Sequence, residues 1–270
     1  MTVKQLNLVD LFQVSLEAGK EILDVYAQDF DVEFKEDESP LTQADKRAHE
    51  SIMKGLNAID SSIPVLSEEG REIPYSERRE WGCFWLVDPL DGTKEFVKKN
   101  GEFTVNIALI EGKYPSIGII YAPALDVFYF GRVGEGAYKL ENASKVEVCS
   151  EEQLMEKSVL LPEISDSDMT RAVASRSHMS EETEVFIKEL EAKSGKVEVV
   201  SSGSSLKFCL VAEGKADYYP RYAPTMEWDT GAGQAIVEAA GGKVTRYEDD
   251  ERFYYNRENL LNGWFLVQRS

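Results

Sequence analysis

Residues 85–93 read Trp85-Leu86-Val87-Asp88-Pro89-Leu90-Asp91-Gly92-Thr93. An apolar run of the kind that forms a buried strand passes into two carboxylates three residues apart, set around a proline and followed by a glycine turn. Sheet packing has no use for that combination. Carboxylates that converge at a strand end repel each other unless a cation neutralises them. Asp88 and Asp91, with a backbone carbonyl from Leu90, form a hard oxygen donor set that suits Mg²⁺. An acidic turn would carry the same letters, since Asp-Pro and Asp-Gly are common turn dipeptides, so the stretch alone leaves both readings open.

Around this stretch, short apolar runs at 63–66, 84–87, 103–110, 117–121 and 127–130 are separated by turns containing Gly, Pro and Asn, and predict strands of a mostly antiparallel sheet. Before them, Leu8, Leu11, Phe12, Ser15, Leu16, Leu23 and Tyr26 recur at helical spacing and predict an amphipathic helix over 6–26. Thr42-Gln43-Ala44-Asp45 has the Thr-x-x-acid form of a helix start, and Ala48, Ile52, Met53, Leu56 and Ile59 supply the stripe behind it. After residue 148 the pattern alternates. Strands at 172–175, 197–200 and 216–219 interleave with helices at 181–192, 204–212 and 229–240, which suggests an α/β layer. The stretch from Cys149 to Thr170 is polar and acidic and reads as loop. The expected organisation is a subdomain over 1–148, a helix pair plus antiparallel sheet carrying most of the candidate ligands, and an α/β subdomain over 149–270. Without repeats or a low-complexity linker, the two should pack as one unit.

The balance of 30 Lys plus Arg against 49 Asp plus Glu gives a net charge of −19 over 270 residues, which disfavours a nucleic-acid polymer as partner. With 43% hydrophobic residues there is ample material for a core. Cys83, Cys149 and Cys209 are odd in number, far apart and without a CxxC pair, so neither a disulfide framework nor a zinc ribbon is indicated and a reducing compartment is the simpler expectation. The N-terminus lacks the continuous apolar stretch of a signal peptide, and no run of 18 apolar residues follows. The expected location is cytoplasmic, with peripheral attachment to the inner face of the cell membrane left open.

Three further acids share the strand-end or helix-start character. Glu68 and Glu69 follow the apolar run Pro64-Val65-Leu66, Asp229 stands where a helix is expected to begin, and Asp45 lies in the first turn of the second helix. A solvated loop, an N-cap and a capping-box acid are their bland alternatives. Among cations, Ser204 and Lys207 are three apart near a helix start and can face one anion, while Arg221 after a strand can offer a planar fork to a second phosphate. Taken singly, Lys207 or Arg221 is more readily an ordinary surface charge. The chain has no GxSxG elbow, P-loop or His-Glu-x-x-His motif and only two histidines, so direct attack by water fits better than a protein nucleophile or His-based metal chemistry.

The segment WLVDPLDGTKEF at 85–96, with WDTGAG at 228–233 and AAGG at 239–242, resembles the paired signatures of the inositol monophosphatase superfamily of metal-dependent, lithium-sensitive phosphatases. The fit tightens toward the CysQ-type 3′(2′),5′-bisphosphate nucleotidases through residues 91–110, SRSH at 175–178, GSSLKFCLVAEGKADYYPR at 203–221 and NRENLLNGWF at 256–265. The resemblance runs from the TQAD segment to the C-terminus. It implies a layered αβαβα fold. It also implies Mg²⁺ ligands at Glu68, Asp88, the Leu90 carbonyl, Asp91 and Asp229, with Asp45 near a third, more weakly held ion, and Glu69 either behind the ligands or facing solvent. Two or three ions and inhibition by Li⁺ follow from the same resemblance. Glu68 and Thr93 would activate water. Substrate contacts would come from Gly92, Thr93, His178, Ser204, Lys207, Arg221 and Asp229.

The implied reaction is hydrolysis of adenosine 3′,5′-bisphosphate to AMP and phosphate, which clears a by-product of sulfate assimilation, with phosphoadenylyl sulfate as a further substrate. Relatives occur as monomers and homodimers. Two departures stand out: Gly231 where relatives carry alanine, and a poor match over 140–170. The rival readings are an inositol or broad sugar phosphatase and a non-catalytic, metal-regulated nucleotide sensor. Glu68, Asp91 and Thr93, which a sensor would be expected to lose, are all present.

Overall fold

The computed structural model describes residues 6–28, 32–34, 40–163, 169–174 and 179–269. Its first part comprises helix α1 (Leu8–Tyr26), a ribbon of β1 (Val32–Phe34) and β2 (Pro40–Thr42), α2 (Gln43–Asp60), β3 (Val65–Ser67), α3 (Tyr75–Arg78), β4 (Cys83–Asp91) and α4 (Thr93–Val97). Then follow β5 (Thr104–Glu111), β6 (Tyr114–Ala122), β7 (Val127–Arg132), β8 (Gly136–Glu141), α5 (Glu151–Glu156) and β9 (Val159–Leu161). Strands β3 to β9 form a seven-stranded sheet in sequence order, antiparallel throughout except for the parallel pair β3–β4. The expected loop over 149–170 is therefore corrected. Ser150 caps α5 by accepting from the Gln153 amide, and β9 closes the sheet edge beyond residue 148. The segment is too short and too polar for its period to be read, and the sheet edge decides its structure.

The second part comprises β10 (Thr170–Val173), α6 (Glu181–Ser194), β11 (Val197–Val200), α7 (Leu206–Ala212), β12 (Tyr218–Arg221), α8 (Gly231–Ala239), β13 (Lys243–Arg246) and β14 (Phe265–Gln268). Its five strands lie in the order β11-β10-β12-β14-β13, with β14 antiparallel to both neighbours. Helices α1 and α2 pack on one face of the large sheet, α7 and α8 fill the space between the sheets, and α6 covers the outer face of the small one. The layering is αβαβα.

Because the large sheet is covered on both faces, its central strands are largely apolar on both sides instead of alternating, with Asp88, Thr104 and Asn106 as the buried polar exceptions in β4 and β5. Trp85 and Val87 of β4 face the core beneath α1 and α2, while Phe84 and Leu86 face the core around α8. Asn7 caps α1 by accepting from the Val9 amide. The buried stripe of α1 runs through Leu8, Leu11, Phe12, Ala18, Ile22 and Val25, so the expected Leu16, Leu23 and Tyr26 flank it as half-buried residues. Gly19 marks a close approach of helix and sheet. A Cβ at Gly19 would lie 2.3 Å from the Tyr121 ring.

Helix α8 sits equally close on the other face. A Cβ at Gly118 of β6 would come within 2.3 Å of the Ala232 carbonyl oxygen, a backbone atom that cannot swing aside. Gly118→Ala is therefore expected to destabilise the protein by about 1–3 kcal/mol through overpacking. A urea titration that returned the wild-type midpoint would contradict that packing.

Candidate active site

Strand alternation sends Asp88 to the same side of β4 as Phe84 and Leu86, so the apolar face toward α8 ends in a buried carboxylate. Between Asp88 and Asp91 the β4–β5 register shifts, which brings Asp91 opposite Thr104 after Asp88 has paired with Asn106. Pro89, which has no N–H to lose, lies within that irregularity. Asp88 Oδ1 accepts from the Leu90 amide at 3.1 Å, and the Thr93 hydroxyl donates to the Leu90 carbonyl at 3.4 Å. Gly92 turns the chain at φ +91°, a left-handed conformation that a side chain would disfavour, and α4 begins immediately after it.

Glu68 arrives from the neighbouring strand. Ser67 of β3 pairs with Val87, and the Glu68 amide donates to the Val87 carbonyl at 3.1 Å, which carries the Glu68 side chain to the end of β4 beside Asp88. Asp229 comes from the opposite layer. It does not begin α8 as expected. It closes a short 3-10 turn, Glu227–Asp229, and its carboxylate accepts from the Met226 amide behind it at 2.8 Å, because Thr230 separates the turn from the helix at Gly231. Asp45 lies buried in the first turn of α2, as expected.

Glu68, Asp88 and Asp229 each offer one carboxylate oxygen, and these oxygens lie within 4.8 Å of one another. The electrostatics follow from that crowding. Burial first, and then the charges of Glu68, Asp91, Asp229 and Asp45, push Asp88 well above the ordinary carboxylate range. Burial raises Asp91 to about 6 against the opposing influence of Lys207. Burial and Asp91 raise Asp229 to about 8. Acids desolvated together in this way fit a divalent cation, whose charge would hold them ionised. The Leu90 carbonyl already accepts from Thr93 and retains a second lone pair.

Beside the acids lies a cavity of about 170 Å³ lined by Asp91, Gly92, Ser204, Lys207, Arg221 and Asp229, among others. Helix α7 starts at Leu206, two residues later than expected, and Ser204 has φ +43° in the turn before it. Lys207 Nζ donates to the Ser204 carbonyl at 2.9 Å, so the pair braces its own turn while facing the cavity. Burial lowers the Lys207 pKa, partly opposed by Asp91. Arg221 Nη2 donates to the Pro224 carbonyl at 3.2 Å. Its Nε and the Ser204 hydroxyl are buried without a hydrogen-bond partner among the described residues, which marks them as groups that an anion in the cavity would satisfy. Glu95 lines the same cavity. His178, with the rest of 175–178, lies outside the described residues.

The family model described as "Inositol monophosphatase family" matches residues 5–266. The chain belongs to the inositol monophosphatase family. The 3′(2′),5′-bisphosphate nucleotidase CysQ of Salmonella typhimurium is 43% identical over 262 residues, covering 96% of this chain and 98% of that protein. The crystal structure of CysQ from Bacteroides thetaiotaomicron superposes with a TM-score of 0.89 at 49% identity, covering 98% of each chain. The suhB protein of Bartonella henselae, 22% identical with a TM-score of 0.71 over 97% of this chain and 93% of its own, shares the fold.

In this inositol monophosphatase family member, the segment 256–262 acts as a strut under Asp229. Glu227, fully buried, accepts from the Asn256 and Arg257 amides and pairs with the Arg257 guanidinium. Arg78 of α3 donates to the Arg257 and Glu258 carbonyls at 2.6 and 2.7 Å. Asn262 donates to the Thr225 hydroxyl and the Met226 carbonyl. Sequence reading missed Arg78, Glu227 and Asn262, since their partners lie 178, 30 and 37 residues away and each, read singly, resembles any surface polar residue. Trp85 is fully buried in the core of the large sheet and Cys209 in the core around α8, and neither lines the cavity. No described helix is long and apolar enough to cross a membrane.

Proposed function

We propose that the chain hydrolyses adenosine 3′,5′-bisphosphate to AMP and phosphate in a Mg²⁺-dependent reaction, with phosphoadenylyl sulfate as a secondary substrate. The observation that carries this reading is the meeting of two opposite fields. Clustered acids that fit a cation adjoin a cavity whose lining includes two half-buried cations, Lys207 and Arg221, and two unsatisfied donors. A monophosphate of a neutral sugar needs one cationic partner, whereas a bisphosphate needs a second. Identity of 43% to a CysQ nucleotidase over nearly the whole length supports the same choice.

Glu68, Asp88, the Leu90 carbonyl, Asp91 and Asp229 would hold the Mg²⁺ ions, with Asp45 serving a further one. Bound there, Mg²⁺ supplies charge neutralisation, an acidified water and stabilisation of the leaving oxygen. The chain's own groups do the rest. Glu68 accepts the proton of the attacking water, while the Thr93 hydroxyl, held by the Leu90 carbonyl, orients that water in line with the phosphorus. The amides at Gly92 and Thr93 donate to the phosphate undergoing attack. Lys207, Arg221 and the Ser204 hydroxyl bind the phosphate that is retained. Li⁺ is expected to inhibit by competing at one of the cation positions, and a cytoplasmic location fits a reduced, unpaired set of cysteines.

Arg221→Ala tests the substrate half of this reading. It is expected to lower kcat/KM for adenosine 3′,5′-bisphosphate by roughly 10–100-fold, the cost of one charged bidentate contact, and to change inositol 1-phosphate turnover by less than about threefold. Equal losses on both substrates would turn the assignment toward a broad sugar phosphatase.

A further inference from the structure

Strand β5 is buried on both faces, and its residues sort by parity. Val105, Ile107 and Leu109 join the core under α1 and α2, whereas Ala108 and Ile110 join the core around α8. Thr104 and Asn106 continue the second row, yet they are polar, and they are 0% and 1% exposed. They lie directly across the ladder from Asp91 and Asp88. A third buried polar residue, Ser205 at 2% exposure, reaches them from the turn before α7.

These groups form one chain of hydrogen bonds whose direction is determined. Asn106 Nδ2 donates to Asp91 Oδ2 at 3.4 Å, which leaves the Asn106 carbonyl end facing Ser205. The Ser205 hydroxyl donates to Asn106 Oδ1 at 2.7 Å, which uses its only proton. The contact of 2.8 Å between Thr104 Oγ1 and Ser205 Oγ must then have Thr104 as donor. The relay runs Thr104 to Ser205 to Asn106 to Asp91, and a carboxylate is the one group in it that only accepts. The Ser205 amide donates to Asp91 as well. Every member has a partner in the chain, and none touches the cavity except through Asp91 and Ser205.

We propose that Asn106 and Ser205 are positioning residues that set the orientation of the Asp91 carboxylate toward the cation and tie it to the anion-binding turn at Ser204–Lys207. Ser205 is bonded covalently to Ser204, whose carbonyl receives Lys207, so one rigid link spans the cation site and the anion cavity. The inference rests on reading the acids as a cation site, and groups that orient a ligand in this way govern metal affinity by about 10–100-fold.

The test is calorimetric titration of the full chain with Mg²⁺ alone, together with the Mg²⁺ dependence of phosphate release. Asn106→Leu, close in volume but unable to donate, is expected to weaken Mg²⁺ binding by about 10–100-fold, with kcat recovering to within a few-fold at saturating Mg²⁺. Ser205→Ala is expected to weaken it several-fold, and the double variant to be no worse than Asn106→Leu, because the relay is already broken. A purely structural role would lower the melting temperature and leave the Mg²⁺ affinity of the folded protein unchanged; that result overturns the proposal, as does a kcat that saturating Mg²⁺ does not restore. If Asn106→Leu does not fold, an unchanged Mg²⁺ affinity in Ser205→Ala overturns it alone. Wild type that binds no Mg²⁺ would overturn the cation site itself, whereas a wrong nucleotide assignment would leave these titrations untouched.

Discussion

Asp91→Asn is expected to lower kcat for adenosine 3′,5′-bisphosphate by roughly two to three orders of magnitude while raising the melting temperature of the metal-free protein. The first effect is the loss of a charged donor where charge develops during phosphoryl transfer, a position at which single groups are worth about that much. The second follows from the cost of holding Asp91 ionised without a cation. Burial and Glu68 disfavour its charge, and Asn keeps an oxygen to accept from Asn106 and Ser205 while removing the repulsion. Steady-state phosphate release and thermal melts in EDTA measure the two sides. A variant that lost activity and also melted lower without metal would show that Asp91 stabilises the fold, contrary to the repulsion described.

Mg²⁺ is expected to stabilise the protein far more at pH 8.5 than at pH 5.5. The sign follows from the acids. In the metal-free fold Asp91 stands at about 6, Asp229 at about 8 and Asp88 is raised as well, all above their ordinary value near 3.8. Between pH 4 and 8 the folded state therefore binds more protons than the unfolded chain, so stability is lost as pH rises through the folded-state values. Mg²⁺ would replace those protons and remove the dependence. With Mg²⁺ at about a hundred times its dissociation constant the gain is about 2.7 kcal/mol, or roughly 5–10 °C in melting temperature for a chain of this size. At pH 5.5 protons compete for the same oxygens and the gain shrinks. Taking the difference between melts in Mg²⁺ and in EDTA at each pH cancels the other titrating groups. A difference that did not grow with pH would contradict the acidic cluster as the site of binding.

What the sequence disclosed about the site followed from proximity along the chain. Asp88, Leu90, Asp91, Gly92 and Thr93 are legible because one strand end carries them all, and the both-faces-apolar run before them identifies a central strand. Glu68 and Asp229 are legible as acids placed where apolar runs end. Their convergence is not, since it depends on β3 pairing with β4 and on the 3-10 turn being carried in from the other layer. Asn106 left a faint signal: it and Thr104 interrupt a row that Ala108 and Ile110 continue, in a strand otherwise apolar on both sides. Ser205 left none, because its partners lie about a hundred residues away. The fold divides along the same line. Periodicity predicts α1, α2 and the central strands, where a residue's burial follows from its own element. It fails for α5 and β9, where a short polar segment takes its structure from the sheet edge beside it.

The most direct measurement is phosphate release from adenosine 3′,5′-bisphosphate and inositol 1-phosphate, side by side, in Mg²⁺ and in EDTA. Release that requires Mg²⁺ and is faster from the nucleotide is the result expected from an acidic cluster beside a cavity lined by Lys207 and Arg221. Release undiminished by EDTA, or absent from both substrates, would contradict it.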